Sequence, residues 1–469
     1  MNSSEEFDLV VIGGGSGGYA AARTAFEKSA KIAVIDNAVE LGGLCILRGC
    51  MPSKTLIYSA EVLHLAKQGN VFGFESIDHD VNLAKMQKRK QEIIDEFAQY
   101  RKGQLEDGRF SLFRSKAKFI NRNSIKLDDG TIIRADNFVI STGSKISMPP
   151  VSGLDKVAFK TSDQVLDLSD IPEEVVVLGG GIVACELAQF LNRIGSRVVI
   201  LQRNKYLLKE FPEKASLCIQ AKFEEEGIIV RTGVTIQNVE QVDKETIDVV
   251  YLHEEKKYSI QTKFLFHALG RRPATDGLNL EEIGVEMEKT GHIKTNSFQE
   301  TKVSGIYAAG DCAGPHEIVH IAIRQGETAA RHAMGELTKP ISYDHLLGVV
   351  FTDPQVASVG LLPKELDKRG IKYLSADYPF DDHGKSILME AKHGYVAVHA
   401  DKESGVILGA ECVGKDAGEL IHTLSIAVSL KASVHQLAQA DWYHPTLAEI
   451  WTYPIEDLVE EINQQNQKK

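Results

Sequence analysis

Two thiols with four residues between them, Cys45 and Cys50, stand in the run Gly42-Gly43-Leu44-Cys45-Ile46-Leu47-Arg48-Gly49-Cys50-Met51-Pro52-Ser53-Lys54. That spacing lets a disulfide close across one helical turn or a tight loop, because the Cβ atoms can approach to about 4 Å. Pro52 suits the first turn of a helix, which puts Cys50 at or just before a helix N-terminus. A thiolate is stabilised there and its pKa falls. Lys54 adds positive charge one turn further on. The chemistry expected is that of a reactive dithiol; on spacing alone, two buried thiols or a structural bridge remain the alternative. A second candidate is His444, which precedes Pro445 and so sits ahead of a helix start. Glu449, five residues on, can turn back to hold one imidazole nitrogen. A histidine oriented by a carboxylate is the usual general acid/base arrangement.

The elements around these residues decide between the readings. Residues 7–12 form an apolar strand that runs into Gly13, Gly15 and Gly18 in the order GxGxxG, then into an Ala-rich helical stretch over 19–26. A second strand, 31–35, ends in Asp36, 23 residues beyond Gly13. Such glycines permit a tight turn and close approach to a pyrophosphate on the helix N-terminus, and the acid accepts from a ribose hydroxyl. The pattern repeats in strand 174–178, in Gly179, Gly181 and Ala184, in helix 185–194 and in strand 197–201. Two dinucleotides are expected. At the second site the offset that led to Asp36 leads to Gln202, with Arg203 beside it. A carboxylate there would repel a 2′-phosphate and an arginine would attract it, so NADP(H) is favoured over NAD(H).

Length and composition agree. At 469 residues several domains are expected, and an apolar share of 43% supports large cores. The net charge of −12, with no basic stripe, argues against nucleic acid as a partner. The longest apolar runs are strand-length, so no membrane span is expected. Residues 1–6 read as neither signal nor transit peptide, and a cytoplasmic location is expected. Cys185, Cys218, Cys312 and Cys412 lack metal-ligand spacing and read as buried thiols, so no metal is expected.

Five motifs, in order, resemble those of the flavin-dependent pyridine nucleotide–disulfide oxidoreductases, the family of dihydrolipoamide dehydrogenase, glutathione reductase and mercuric reductase. They are the fingerprint at Gly13, the GGxCxxxxCxPSK-like box, the fingerprint at Gly179, Gly310-Asp311, and His444-Pro445-Thr446-Leu447-Ala448-Glu449. The resemblance runs from about residue 7 to 460. It implies an α/β fold with two Rossmann-like dinucleotide-binding domains and a C-terminal α+β dimerisation domain. FAD would be bound by 1–148 with 269–342, NAD(P) by 149–268, and the dimer formed by 343–463, leaving 464–469 as a flexible tail. FAD would be held by Gly13, Gly15, Gly18, Asp36, Gly43, Thr142, Gly143 and Asp311. The nicotinamide dinucleotide would be held by Gly179, Gly181, Ala184, Gln202, Arg203, Gly270 and Arg271.

The resemblance also implies a mechanism. Reduced nicotinamide passes a hydride to the flavin, which reduces the Cys45–Cys50 disulfide. Cys50 stays beside the flavin, and Cys45 attacks a small disulfide substrate. His444, oriented by Glu449, protonates the departing thiol and comes from the other subunit of a homodimer. Lys54 pairs with Glu186 near the flavin. The substrate reads as dihydrolipoamide-like, with glutathione-type or mercuric-type reduction as alternatives. A subunit docked in a multienzyme assembly and a redox-sensing flavoprotein are the other classes. The intact His444-to-Glu449 motif argues against the latter, since oxygen or a quinone needs no thiol protonation. Four aromatics, Trp442, Tyr443, Trp451 and Tyr453, flank His444 and are expected to pack a subunit interface, with a substrate channel as the alternative.

Further strands are expected at 137–140, 228–231, 246–252, 305–309, 349–351, 372–378, 387–390, 395–400 and 405–413. Helices are expected at 79–103, 320–335, 417–430 and 447–460.

Overall fold

The apolar run before Gly13 is buried on both faces, as a strand in a helix-covered parallel sheet must be. It forms β1 (Ser4–Ile12). In the computed structural model, which describes residues 4–75 and 81–467, Leu9 and Val11 share a core with Ala21, Ala22, Ala25, Ala329 and Ala330. Val10 and Ile12 point the other way, into a core with Phe119, Phe138 and Ile140. β2 (Ile32–Ile35) and β6 (Ile132–Ile140) flank β1 in parallel, with Ile12 opposite both Ile35 and Ile140. β3 (Ser111–Phe113) and β16 (Ile306–Ala308) continue the parallel pairing on β2 and β6. β5 (Ser124–Leu127) and β4 (Ala117–Asn121) add antiparallel strands at one edge. On one face α1 (Ser16–Phe26) packs on α8 (Val319–Ala333). Their contact depends on small residues, since a Cβ on Gly326 would lie 2.1 Å from the carbonyl oxygen of Gly17. The segment after β2 forms α2 (Gly43–Leu47), α3 (Cys50–Lys67) and α4 (Leu83–Glu106).

The chain leaves this unit through β7 (Ser144–Ile146), passes α5 (Ser162–Leu166) and builds a second parallel sheet. Its order is β10 (Ile229–Arg231), β9 (Arg197–Leu201), β8 (Glu174–Leu178), β14 (Leu265–His267). α6 (Ile182–Arg193) and α7 (Glu213–Glu225) join its core through Leu187, Phe190, Ile219 and Phe223. An antiparallel flap of β11 (Thr235–Gln241), β12 (Ile247–His253) and β13 (Lys256–Thr262) stands beside it. The chain returns through β15 (Arg271–Pro273), which pairs antiparallel with β7 and ties exit to re-entry.

The last unit is a five-stranded antiparallel sheet: β17 (Leu347–Val350), β18 (Gln355–Gly360), β21 (Ile407–Gly414), β20 (Tyr395–Asp401), β19 (Tyr373–Pro379). Its core takes in α11 (Ala417–Leu430) and α13 (Thr452–Gln467). Shorter helices α9 (Pro363–Arg369), α10 (Gly384–Leu388) and α12 (Val434–Leu437) fill the connections. The α/β architecture is the expected one. Residues 387–390 were expected as a strand and instead close α10. The apolar pair responsible, Ile387 and Leu388, is 42% and 67% exposed, so no sheet neighbour is there to bury it. Residues 228–231 extend the parallel sheet, while 246–252 fall in the flap. The expected start of the helix at 79–80, residues 1–3 of the N-terminal reading and 468–469 of the tail lie outside the described residues.

Candidate active site

Cys50 is the first residue of α3, and the residue before it, Gly49, supplies no side-chain cap. The amides of that first turn therefore face the thiol end with their positive dipole unspent. Cys45 lies in the preceding turn of helix, α2, and both thiols are free and half-buried. A hydrogen bond from the Cys45 thiol to the Cys50 sulfur brings the Cys50 pKa down to about 7, helped by the charge of Lys54 and opposed by burial. The same hydrogen bond, together with burial, pushes the Cys45 thiol up. One sulfur is thus an anion near neutral pH and its neighbour keeps the proton.

Lys54 lies one turn along α3, and its Nζ sits 2.7 Å from Oε2 of Glu186 on α6. The Glu186 side chain is only 3% exposed, and its Oε1 accepts from the backbone N–H of Phe351 at 2.9 Å. One carboxylate thus links the dithiol helix, the second sheet's helix and the residue just after the first strand of the last unit. Lys54→Met removes the cation that favours the Cys50 thiolate. The pH midpoint of Cys50 alkylation in the reduced protein should move up, and its labelling rate at neutral pH should fall roughly three- to tenfold. An unchanged midpoint would show that Lys54 does not act on the thiol.

His444 carries its imidazole on the last unit with a side chain 78% exposed. Its Nδ1 is 3.0 Å from both Oε1 and Oε2 of Glu449. It forms no hydrogen bond or ion pair with Cys45 or Cys50 among the described residues. The chain therefore brings Cys45 to Cys50, Lys54 to Glu186 and His444 to Glu449, and leaves the third pair apart from the first. The flanking aromatics do not act together. Trp451 is fully buried and donates to the carbonyl of Leu420. Trp442 donates to the carbonyl of Leu437, and Tyr453 stacks on Tyr378 at 3.8 Å. Only Tyr443, 82% exposed, stands fully free on the surface beside His444.

At the first fingerprint Gly13 (φ +105°) and Gly43 (φ +74°) occupy left-handed conformations. A Cβ on Gly43 would sit 2.7 Å from the Cα of Gly15, so the loop carrying Cys45 is pressed against the turn that opens α1. The N-terminus of α1 has no side-chain cap and no acid in its first turn. Asp36 accepts from the backbone N–H of Gly14 at 2.8 Å. Gly18 cannot carry a side chain, since its Cβ would lie 1.8 Å from the carbonyl oxygen of Gly13. Asp311 accepts from the Ser144 hydroxyl at 2.7 Å.

The second fingerprint repeats the geometry. Gly179 has φ +111°, the N-terminus of α6 begun by Gly181 is again uncapped, and Ala184 is buried against the sheet. Gln202 lies over Gly180 as Asp36 lies over Gly14, and its Nε2 donates to the carbonyl of Tyr206 at 3.3 Å. Arg203 is exposed and makes no hydrogen bond or ion pair among the described residues. Arg271 was expected at this site. Its guanidinium donates to the hydroxyl and carbonyl of Ser144 at 2.8 and 2.9 Å, where the β15–β7 pairing carries it.

Residues 7–326 match the family model described as pyridine nucleotide-disulphide oxidoreductase, and 347–454 match the model of that family's dimerisation domain. The chain belongs to the pyridine nucleotide–disulphide oxidoreductases. It is an FAD-dependent enzyme of that family, acting on sulfur groups. It is 33% identical over 448 residues to a mercuric reductase from Bacillus cereus, covering 95% of this chain and 70% of that one. It is 31% identical over 453 residues to a dihydrolipoyl dehydrogenase from Chlamydia muridarum, covering 96% of each. Among solved structures it is similar to LpdA from Mycobacterium tuberculosis, with a TM-score of 0.87 at 25% identity over 96% of this chain and 99% of that one. The flavoprotein disulfide reductase RclA from Escherichia coli shares the fold, at 21% identity and a TM-score of 0.84, over 96% of this chain and 99% of that one.

The first fingerprint fits the family's FAD. The open N-terminus of α1 offers N–H groups to a pyrophosphate. The hydroxyl of Thr142 is buried without a partner in the turn before Gly143, whose own Cβ position faces open space. A flavin dinucleotide held by these residues would supply the acceptors and the bulk that the protein lacks there. No helix among the described residues is long and apolar enough to cross a membrane.

Two contacts of the site residues escaped the sequence reading. One is the backbone N–H of Phe351 on Glu186, which no side-chain motif reports. The other is His383, a buried histidine whose Nε2 lies 3.5 Å from Oε1 of Glu449. It stands 61 residues before His444 in a stretch without a recognisable pattern.

Proposed function

We propose that this enzyme is an NADPH-linked reductase of a small disulfide of the dihydrolipoamide type, working as a homodimer whose two active sites each draw on both chains. The observation that carries this reading is the His444–Glu449 pair: it is assembled, exposed and without a thiol in its own chain. A group that protonates thiols is of use only where thiols are exchanged, and its place on a dimerisation domain suits presentation to the dithiol of a second subunit.

The flavin, when bound, supplies the two-electron transfer that joins reduced nicotinamide to the Cys45–Cys50 disulfide. This chain's residues do the rest. Lys54 and the first turn of α3 hold Cys50 as a thiolate. The Cys45 thiol, held up by burial and by its hydrogen bond to Cys50, must lose its proton to attack a disulfide. His444 of the partner subunit takes that proton and returns it to the departing substrate thiol. Cys50 then attacks the Cys45 sulfur, releases the second substrate sulfur as a thiolate that takes a proton from water, and restores the disulfide. Glu449 keeps the imidazole turned so that its other nitrogen faces the sulfur.

Arg203 supports the nicotinamide reading. It is an unpaired cation beside a buried neutral amide, whereas Lys205 lies over the Tyr206 ring and Lys209 pairs with Glu210. A charge-assisted contact to a 2′-phosphate is worth about 10- to 150-fold in affinity. KM for NADPH should lie below that for NADH, and Arg203→Ala should raise it by about that factor without changing KM for NADH. Equal kcat/KM for the two cofactors in the unaltered enzyme would reject the assignment.

A second reading, reduction of mercuric ion at the same thiols, is favoured by the three mercuric reductases 30–33% identical to this chain. Against it, the His444–Glu449 pair is suited to protonating a departing thiol, which reduction of a metal ion does not need. Initial rates with lipoamide, glutathione disulfide, Hg(II) and a quinone, each with NADH and NADPH, separate the readings. Fastest turnover of lipoamide with NADPH is expected. Turnover of Hg(II) alone would replace the first reading by the second.

A further inference from the structure

We propose that His383 is a positioning residue for the acid–base pair, presenting a neutral Nε2–H to the carboxylate of Glu449 from inside the protein. The inference rests on the proposed role of His444 and Glu449 and asks what holds Glu449 in place. Its carboxylate is nearly buried, and its only hydrogen-bond partner among the described residues is His444, whose side chain is 78% exposed. An imidazole that must take up and give back a proton at a sulfur cannot by itself fix the rotamer of the carboxylate that orients it. The anchor must come from the interior.

His383 is the interior group that reaches it. It is fully buried just ahead of α10, and its Nε2 lies 3.5 Å from Glu449 Oε1. Its Nδ1 lies 2.8 Å from the hydroxyl of Ser386, which is also fully buried. Two tautomers are open. With the proton on Nδ1, His383 would donate to Ser386 and turn a lone pair at the carboxylate, leaving a buried nitrogen facing an oxygen that only accepts. With the proton on Nε2, the Ser386 hydroxyl donates to Nδ1 and the N–H points at Glu449. Only the second arrangement gives each nitrogen a complementary neighbour, an O–H facing the Nδ1 lone pair and a carboxylate facing the Nε2–H. Among the described residues Nε2 has no hydrogen-bond partner, and its one charged neighbour is the Glu449 carboxylate at 3.5 Å. Burial also holds the His383 pKa below the usual histidine range, so the ring is neutral at neutral pH and its donation adds no net charge. The segment is braced by the Tyr378–Tyr453 stack, by the Tyr378 hydroxyl on Asp382 at 2.9 Å, and by the edge of Tyr453 against the His383 ring at 6.3 Å.

The arrangement is a relay of orientation: Ser386 sets the tautomer of His383, His383 sets Glu449, and Glu449 sets His444. A mutant cycle tests it. His383→Leu should lower kcat for lipoamide, or for whichever disulfide of the panel turns over fastest, by about tenfold, with KM little changed. His383→Gln, which keeps an N–H at similar reach, should recover most of that loss. Placed on Glu449→Gln, His383→Leu should cost nothing further, because the group it positions is gone. Equal losses in both backgrounds, undiminished turnover in folded His383→Leu, or no recovery with glutamine would overturn the proposal. If His383→Leu does not fold, Ser386→Ala decides. A few-fold loss that vanishes on Glu449→Gln sustains the relay, and no loss, or one that persists there, removes it. Wild-type turnover in Glu449→Gln alone would instead sink the acid–base reading. A loss in Glu449→Gln with none in the His383 and Ser386 variants sinks only this inference.

Discussion

Cys45→Ser and Cys50→Ser should each lower NADPH-dependent disulfide reduction by roughly 10³-fold or more, to the background rate. Neither sulfur can be spared, because the reaction is an exchange. One thiol must form the mixed disulfide with substrate, and the other must displace it. The two variants should still differ. With alanine at position 45 in place of serine, the Cys50 sulfur loses the thiol hydrogen bond that does most to lower its pKa, but keeps Lys54 and the uncapped first turn of α3. In Cys50→Ser the Cys45 thiol loses the partner whose hydrogen bond and charge hold its pKa up. Alkylation profiles against pH should therefore move in opposite directions: up for Cys50 alone and down for Cys45 alone, relative to each thiol in the pair. Ferricyanide reduction by NADPH should stay measurable in both variants, since that acceptor needs no thiol. Substantial disulfide turnover in either variant would remove the dithiol from the reaction.

His444→Ala carries the second large effect, a loss of about 10²- to 10⁴-fold in disulfide turnover. The loss should fall on kcat rather than on KM, because proton transfer matters in the transition state and the ground-state complex does not need it. The geometry adds a test of where the imidazole acts. Mixing the inactive Cys45→Ser and His444→Ala dimers under conditions of subunit exchange should restore about a quarter of the wild-type rate. Random exchange makes half the dimers mixed, and each mixed dimer holds one site in which both contributions are intact. No recovery after demonstrated exchange would mean that His444 serves the thiols of its own chain.

Local patterns were the legible part of this chain. Glycines at fixed offsets after an apolar strand announced both nucleotide turns, because the turn itself demands them. The spacing of Cys45, Cys50 and Pro52 announced a dithiol at a helix start, and α3 begins at Cys50. Pairs far apart in sequence came through resemblance alone, as Lys54 and Glu186 did at a separation of 132 residues. What stayed hidden was decided by tertiary placement. Ile387 and Leu388 look like a buried strand but end an exposed helical turn. Trp451 looks like a neighbour of His444 but points into the core under α11. Arg271 follows the second fingerprint's domain in sequence, yet the β15–β7 ribbon delivers it to Ser144. His383 carries no motif at all, and only the folding of α10 against the turn before α13 brings it to Glu449.

The account stands on the Cys45–Cys50 pair as the place where electrons from nicotinamide become thiols. The most direct measurement is anaerobic reduction of the oxidised enzyme with one equivalent of NADPH, followed by rapid alkylation and peptide mass mapping. Two newly labelled thiols are expected, Cys45 and Cys50, with Cys185, Cys218, Cys312 and Cys412 labelled alike before and after. Unchanged labelling at Cys45 and Cys50, with NADPH consumed, would contradict that role for the pair.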